Sequence, residues 1–128
     1  RPGPRERAMR EARVCYDHLA GDRGVELFDH LVRRDLVRLD GRAVALTSQG
    51  RSWFEDLGVD FAALGKSRRP LCRACLDWSA RRSHLAGSLG AAALDVIIRR
   101  GWARREGGGR ALAFTPPGRR AFSRLIGE

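Results

Sequence analysis

The sequence repeats itself. His18-Leu19-Ala20-Gly21 returns as His84-Leu85-Ala86-Gly87 at an offset of 66, and the correspondence runs on well beyond these four residues. At the same offset Gly24 recurs as Gly90, Asp29 as Asp95, Arg33-Arg34 as Arg99-Arg100 and Leu36 as Trp102. A small insertion at Gly107-Gly108-Gly109 shifts the register. Beyond it Arg42, Thr47, Gly50, Arg51, Phe54 and Leu57 recur as Arg110, Thr115, Gly118, Arg119, Phe122 and Leu125. Self-similarity of this length means that one supersecondary unit is present in two copies, which bury their apolar faces against each other. The expected architecture is therefore α+β, mainly helical, with tandem units related by a pseudo-twofold axis.

Hydrophobic periodicity outlines the unit. Met9, Ala12, Cys15, Tyr16 and Leu19 fall at helical spacing, which predicts an amphipathic helix over Glu6 to Ala20. After a glycine-marked break, Phe28, Leu31, Val32 and Leu36 form a second helical stripe, repeated as Leu94, Ile97, Ile98 and Trp102. Val37 and Leu39 then lead into Asp40-Gly41, a dipeptide suited to a tight hairpin, and Val44 and Leu46 alternate with Ala43 and Ala45. The second copy has Gly107-Gly108-Gly109 as its turn, followed by Leu112 and Phe114. Thr47 and Thr115 are placed to cap closing helices, and Pro116 suits a first helical turn. Each unit thus reads as helix, helix, β-hairpin, helix: a winged-helix-like repeat over residues 1–64, a linker over 65–71 and a second winged-helix-like repeat over 72–128.

Of the 128 residues, 43% are hydrophobic and 31% charged, enough apolar material for a packed core. No apolar run is long enough to span a bilayer, and the expected setting is the cytoplasm. The opening Arg1-Pro2-Gly3-Pro4, without an initiator methionine, reads like the interior of a longer protein. A net charge of +10, carried by arginine with Lys66 as the single lysine, favours an anionic partner, with nucleic acid ahead of membrane. Those arginines are spread along the chain, so charge by itself does not locate an interface. Arg42 and Arg110 sit at the hairpin tips, and Arg38, Arg104 and Arg105 lie on the adjoining strands. Contacts from these five would fall on phosphates, giving affinity and salt dependence without base choice.

Leu36-Val37-Arg38, the hairpin and Leu46-Thr47-Ser48-Gln49-Gly50-Arg51, echoed by Phe114-Thr115-Pro116-Pro117-Gly118-Arg119, resemble the wing and exit helix of bacterial winged helix-turn-helix regulators. With Cys15-Tyr16-Asp17-His18-Leu19-Ala20-Gly21 and Cys75-Leu76-Asp77-Trp78-Ser79, residues 12–128 resemble the C-terminal region of a cysteine-containing subgroup of ArsR-type transcriptional regulators. The resemblance implies a DNA-binding regulatory protein acting as a homodimer. It also implies a more typical DNA-binding winged helix N-terminal to this region. One departure stands out: Leu19 to Leu36 leaves room for a turn and one helix, too little for a separate recognition helix. The alternative is therefore an effector-sensing or dimerisation module that does not itself read DNA.

The cysteines and histidines carry what further chemistry the sequence offers. Cys72-x-x-Cys75 has the spacing of half a tetrahedral metal site, His84 is its nearest candidate third ligand, and Cys15 and His18 could complete a set. ArsR-type proteins are often metal or metalloid sensors, so a zinc-like ion at Cys72, Cys75 and His84 enters as an expectation. Against it, Cys15 lies on an apolar stripe and matches Cys75 in the repeat, which favours small buried side chains in a purely structural role, with no cofactor required. A redox-sensing thiol pair is a further alternative. His18 and His84, duplicated with their surroundings, fit hydrogen-bonded structural histidines better than ligands, and Asp17 and Asp77 fit caps or arginine partners. No nucleophile–base pair or phosphate-binding glycine loop stands out, so an enzyme is not expected.

Overall fold

The structure, a computed structural model, describes residues 4–41 and 43–127. Helix α1 (Pro4–Glu11) is followed by strands β1 (Arg13–Cys15) and β2 (His18–Ala20), helix α2 (Asp22–Arg33), strands β3 (Val37–Asp40) and β4 (Ala43–Leu46), and helix α3 (Ser48–Leu57). A single-turn helix α4 (Phe61–Leu64) leads to strands β5 (Arg73–Leu76) and β6 (Ser83–Ala86), helix α5 (Gly87–Arg99), strands β7 (Ala103–Arg105) and β8 (Leu112–Phe114), and helix α6 (Pro116–Leu125). The protein is α+β, and the strand pairing among the described residues is antiparallel.

The segment expected to complete a helix from Glu6 to Ala20 is instead a β-hairpin. Helix α1 stops at Glu11, and Cys15 pairs with His18 across a turn in which Tyr16 has a left-handed φ of 57°. The apparent helical stripe was a coincidence of period: Val14 and its cross-strand partner Leu19 face the core, while Tyr16, assigned to the same stripe, is 84% exposed. Long-range pairing decides the outcome. Val14 N–H donates to the Arg110 carbonyl (2.8 Å) and Leu112 N–H to that of Ala12 (3.0 Å), extending β1 and β2 with the second half's distal hairpin. A helix here would satisfy Val14 and Ala12 locally but leave the Arg110 carbonyl and the Leu112 N–H without these partners. The second half follows the same course, so hairpin–helix–hairpin–helix replaces the helix–helix–hairpin–helix order expected for each unit.

Backbone pairing joins the two halves at two places. Ala43 of β4 pairs with Arg73 of β5, giving a sheet of order β3-β4-β5-β6, while Arg13 bridges to Ala111 beside β8. Helix α2 lies over β6 and α5 over β2, each covering a hairpin of the other half. One apolar core results, containing Leu31, Phe54, Leu89, Ile97 and Phe122, all essentially inaccessible to solvent. Its helical stripes run as expected except at their edges. Leu36 and Trp102 lie past the ends of α2 and α5, and Val32 and Ile98 sit at the core's margin.

Local signals behave as the residue types require. Thr47 Oγ1 accepts from Gly50 N–H at the start of α3, and Thr115 Oγ1 from Gly118 N–H at the start of α6, both at 2.9 Å. The 65–71 stretch has no regular element, yet it is not idle. The carbonyls of Pro70 and Leu71 accept from Ser88 and Leu89 N–H and so tie down the first turn of α5.

Candidate functional site between the hairpins

Two cross-strand pairs meet at the centre of the molecule. Cys15 lies opposite His18 on the first hairpin, and Cys75 lies opposite His84 on the β5–β6 hairpin. The side chains of a directly opposed pair project from the same face of a hairpin. Each hairpin therefore presents one thiol and one imidazole, and these faces converge: the four donor atoms lie within 4.8 Å of one another. His18 Nε2 and His84 Nε2 are 3.0 Å apart, with ring centroids separated by 4.8 Å. Both histidines are buried and both thiols half-buried.

Glycines make this approach close. Gly24 on α2 and Gly90 on α5 are recurrent positions of the repeat. A Cβ on Gly24 would stand 2.5 Å from the Leu19 carbonyl oxygen and 3.2 Å from His84 Cβ; on Gly90 it would stand 2.6 Å from the Leu85 oxygen and 3.3 Å from His18 Cβ. Each helix thus backs the histidine of the other half, and any larger residue would collide with the Leu19 or Leu85 carbonyl and crowd that histidine's Cβ.

Behind each imidazole stands a carboxylate. His84 Nδ1 is 3.1 Å from Asp77 Oδ1, and His18 Nδ1 is 3.4 Å from Asp17 Oδ1. Each carboxylate has an arginine: Arg13 Nη2 donates to Asp77 Oδ1 at 3.0 Å, and Arg69 Nη1 to Asp17 Oδ2 at 2.5 Å. The surroundings of the two pairs differ sharply. Asp77 is wholly buried, and its Oδ1 also accepts from Gly21 N–H (2.7 Å). Its Oδ2 accepts from Ser79 N–H and Oγ and from Ala80 N–H. Arg13 is buried with it, under the Trp78 ring, whose centroid lies 4.0 Å from the guanidinium carbon. Asp17 and Arg69 are instead partly open to solvent.

Electrostatics follow from this packing. Burial pushes the Asp77 carboxyl up. The Ser79, Ala80 and Gly21 donors and the Arg13 charge more than reverse that, holding it well below the usual carboxylate range. Burial, then the charge of His18, bring His84 down to about 4 against the pull of Asp77. His18 is likewise lowered, mainly by burial. The Cys75 thiol is raised by burial and then by its neighbour Cys15.

The expected ligand set is partly brought together. Cys75 and His84 belong to the group, joined by Cys15 and His18, but Cys72 does not. Cys72 is buried in the apolar core, and burial alone pushes its thiol up to about 11. The Cys-x-x-Cys spacing brings two thiols to one ion when they lie one helical turn apart. Cys72 precedes an extended strand, where residues three apart face opposite ways. Neither pairing was legible: Cys15 and His18 fell in a segment expected to be helical, and Cys75 meets His84 across a long loop.

Among the sequence-derived DNA contacts, Arg104, Arg105 and Arg110 lie exposed on the β7–β8 hairpin. Arg38 is exposed as well, but it is committed to Asp35 through two hydrogen bonds of 2.9 and 2.8 Å. Arg42 lies outside the described residues.

Comparison with known proteins places the chain beside the helix-turn-helix transcriptional regulators. It is 38% identical over 115 residues to the "Uncharacterized HTH-type transcriptional regulator YdfF" of Bacillus subtilis (strain 168). The similarity takes in 90% of this chain and 51% of that protein, so the chain spans about half the length of its relative. No family model matches the chain, and no solved structure matches it significantly.

Proposed function

We propose that this chain is the C-terminal portion of a bacterial transcriptional regulator. It is composed of tandem winged-helix-derived units around a pseudo-twofold axis and acts as a homodimer on DNA. The observation that carries this reading is the 38% identity to an HTH-type regulator, which extends over 115 residues and hence through both units. The β7–β8 hairpin supports a phosphate-contacting wing. Arg104, Arg105 and Arg110 are exposed there, and no ion pair to any of them occurs among the described residues. The cysteine-led hairpins and the exit-helix motifs favour the ArsR subgroup.

The test is binding of a fluorescent mixed-sequence duplex, followed by anisotropy at several salt concentrations. If the three arginines contact phosphates, their combined replacement by alanine reduces the slope of log K against log salt by about 3, near 0.9 for each phosphate no longer neutralised. An unchanged slope refutes a β7–β8 wing contact. Sedimentation velocity of the same protein tests the dimer.

The second reading, a sensing module that does not read DNA, draws on a specific observation: between the hairpin and the wing of each half lies a single helix, α2 or α5, packed onto the opposite hairpin. That leaves no free recognition helix in either half among the described residues. Absence of any salt-dependent duplex binding by this chain selects this reading over the first.

A further inference from the structure

We propose that Cys15, His18, Cys75 and His84 form a tetrahedral S2N2 site for one zinc-class divalent cation, which pins the two halves together. The inference stands on the junction itself and does not depend on whether the chain contacts DNA.

Three observations support it. The donors are of the right kind and at nearly the right separation. Bond lengths of about 2.3 Å to sulfur and 2.0–2.1 Å to nitrogen put tetrahedral ligand atoms roughly 3.3–3.8 Å apart. The four atoms here lie within 4.8 Å of one another, and the two Nε2 atoms are 3.0 Å apart. Small side-chain rotations bring them onto a common centre.

The carboxylates then orient the imidazoles for that centre. Asp77 and Asp17 accept at Nδ1, which turns the lone pairs of both Nε2 atoms toward each other. Two opposed lone pairs at this distance repel. A neutral imidazole protonated at Nε2 relieves the repulsion by giving up its bond to the carboxylate, and an imidazolium relieves it by placing a net positive charge in the buried junction. A cation between them relieves it with both bonds kept.

The charges also balance. Two thiolates neutralise a divalent ion, and Asp77 and Asp17 are each already matched by an arginine, Arg13 and Arg69. Binding converts Zn2+ and two thiols into a neutral dithiolate complex and releases both thiol protons to solvent. Mixed thiolate and imidazole ligands in tetrahedral array select zinc over magnesium or calcium, which take oxygen donors. Access is available, since a cavity of about 340 Å³ lined by Tyr16, His18, Arg69, Arg73 and Cys75 opens onto the site.

The test uses the full chain, reduced and stripped with chelator, then titrated with Co2+ and back-titrated with Zn2+. The expected result is one Co2+ per chain, with the intense visible bands of tetrahedral cobalt and a near-ultraviolet thiolate charge-transfer band, both erased by Zn2+. Cys15→Ser and Cys75→Ser each diminish the charge-transfer band, while Cys72→Ser leaves it intact. Asp17→Asn, at the more exposed carboxylate, weakens affinity about 10–100-fold without changing the band positions. Circular dichroism of each apo variant confirms that it is folded. Absence of tetrahedral cobalt bands in the reduced, folded protein overturns the proposal, as does loss of the site in Cys72→Ser. Failure of the reduced protein to take metal while its oxidised form has a Cys15–Cys75 disulfide also overturns it, in favour of a redox pair.

Discussion

Asp17 and Asp77 occupy equivalent places in the repeat, yet their replacement by asparagine has very different expected costs. Asp77 is fully buried and accepts from the Arg13 guanidinium, the His84 ring, Ser79 and the backbone N–H groups of Gly21, Ser79 and Ala80. An amide keeps only one acceptor oxygen and so only one of these two sets of donors. Its NH2 group meets either the Arg13, Gly21 and His84 donors or those of Ser79 and Ala80. Whichever way it turns, the buried guanidinium loses its counter-charge, and breaking a buried ion pair from one side costs about 3–5 kcal/mol. Asp17 is 30% exposed at its side chain and so is its partner Arg69 at 42%, so Asp17→Asn should cost no more than about 1 kcal/mol. Ser79→Ala removes one hydroxyl that bonds both Asp77 and Arg13, and falls between them at about 1–2 kcal/mol. Urea unfolding monitored by circular dichroism, with chelator and reductant present throughout so that no metal contributes, gives all three values. A cost below about 1 kcal/mol for Asp77→Asn, or equal costs for the two aspartates, would refute the reasoning that Asp77 is the buried keystone of the junction.

Gly24→Ala and Gly90→Ala each place a methyl about 2.5 Å from a backbone carbonyl and against a histidine, and should each lower stability by about 1–3 kcal/mol; Gly108→Ala, which meets nothing within 4 Å, should be nearly silent in the same urea assay. Thr47→Ala and Thr115→Ala remove the N-caps of α3 and α6 and should cost about 1 kcal/mol each in thermal or urea unfolding, adding when combined. His30 is lowered by burial and then by the charges of Arg33 and Arg34, so the unfolded chain binds its proton first as pH falls. The stability it contributes is complete well above pH 6.5 and is lost as pH drops through and below that value. Urea midpoints for wild type and His30→Gln should converge as pH falls from 8 to 5, and a difference independent of pH would count against the assignment.

Much of the fold was legible where local chemistry agrees with the final structure. The β3–β4 hairpin was readable from Asp40-Gly41 between alternating apolar residues, and the caps from Thr47 and Thr115. The cores of α2 and α5 followed from Phe28, Leu31, Leu94 and Ile97. The first hairpin was not readable, because Met9 to Leu19 satisfies a helical period and the partners that settle the matter, Arg110 and Leu112, lie about a hundred residues away. The candidate site was legible as a list of residue types without their grouping. Cys75 and His84 were singled out, but Cys72 drew attention by a spacing that means one thing on a helix and another beside a strand.

What the sequence displayed by itself was a recurrence of residue types: cysteines, histidines, glycines and threonines returning in matching order. What only the tertiary structure decided was how the two stretches use that likeness. Each helix covers the other half's hairpin, and this brings His18 and His84 to 3.0 Å. It also made the pair unequal, burying Asp77 with Arg13 while leaving Asp17 and Arg69 near solvent. The physical reason is that sequence similarity specifies a residue's chemistry and its place within a unit. Burial, charge pairing and convergence on a common centre depend on what the other copy puts against it, and that is fixed only when the two are packed together.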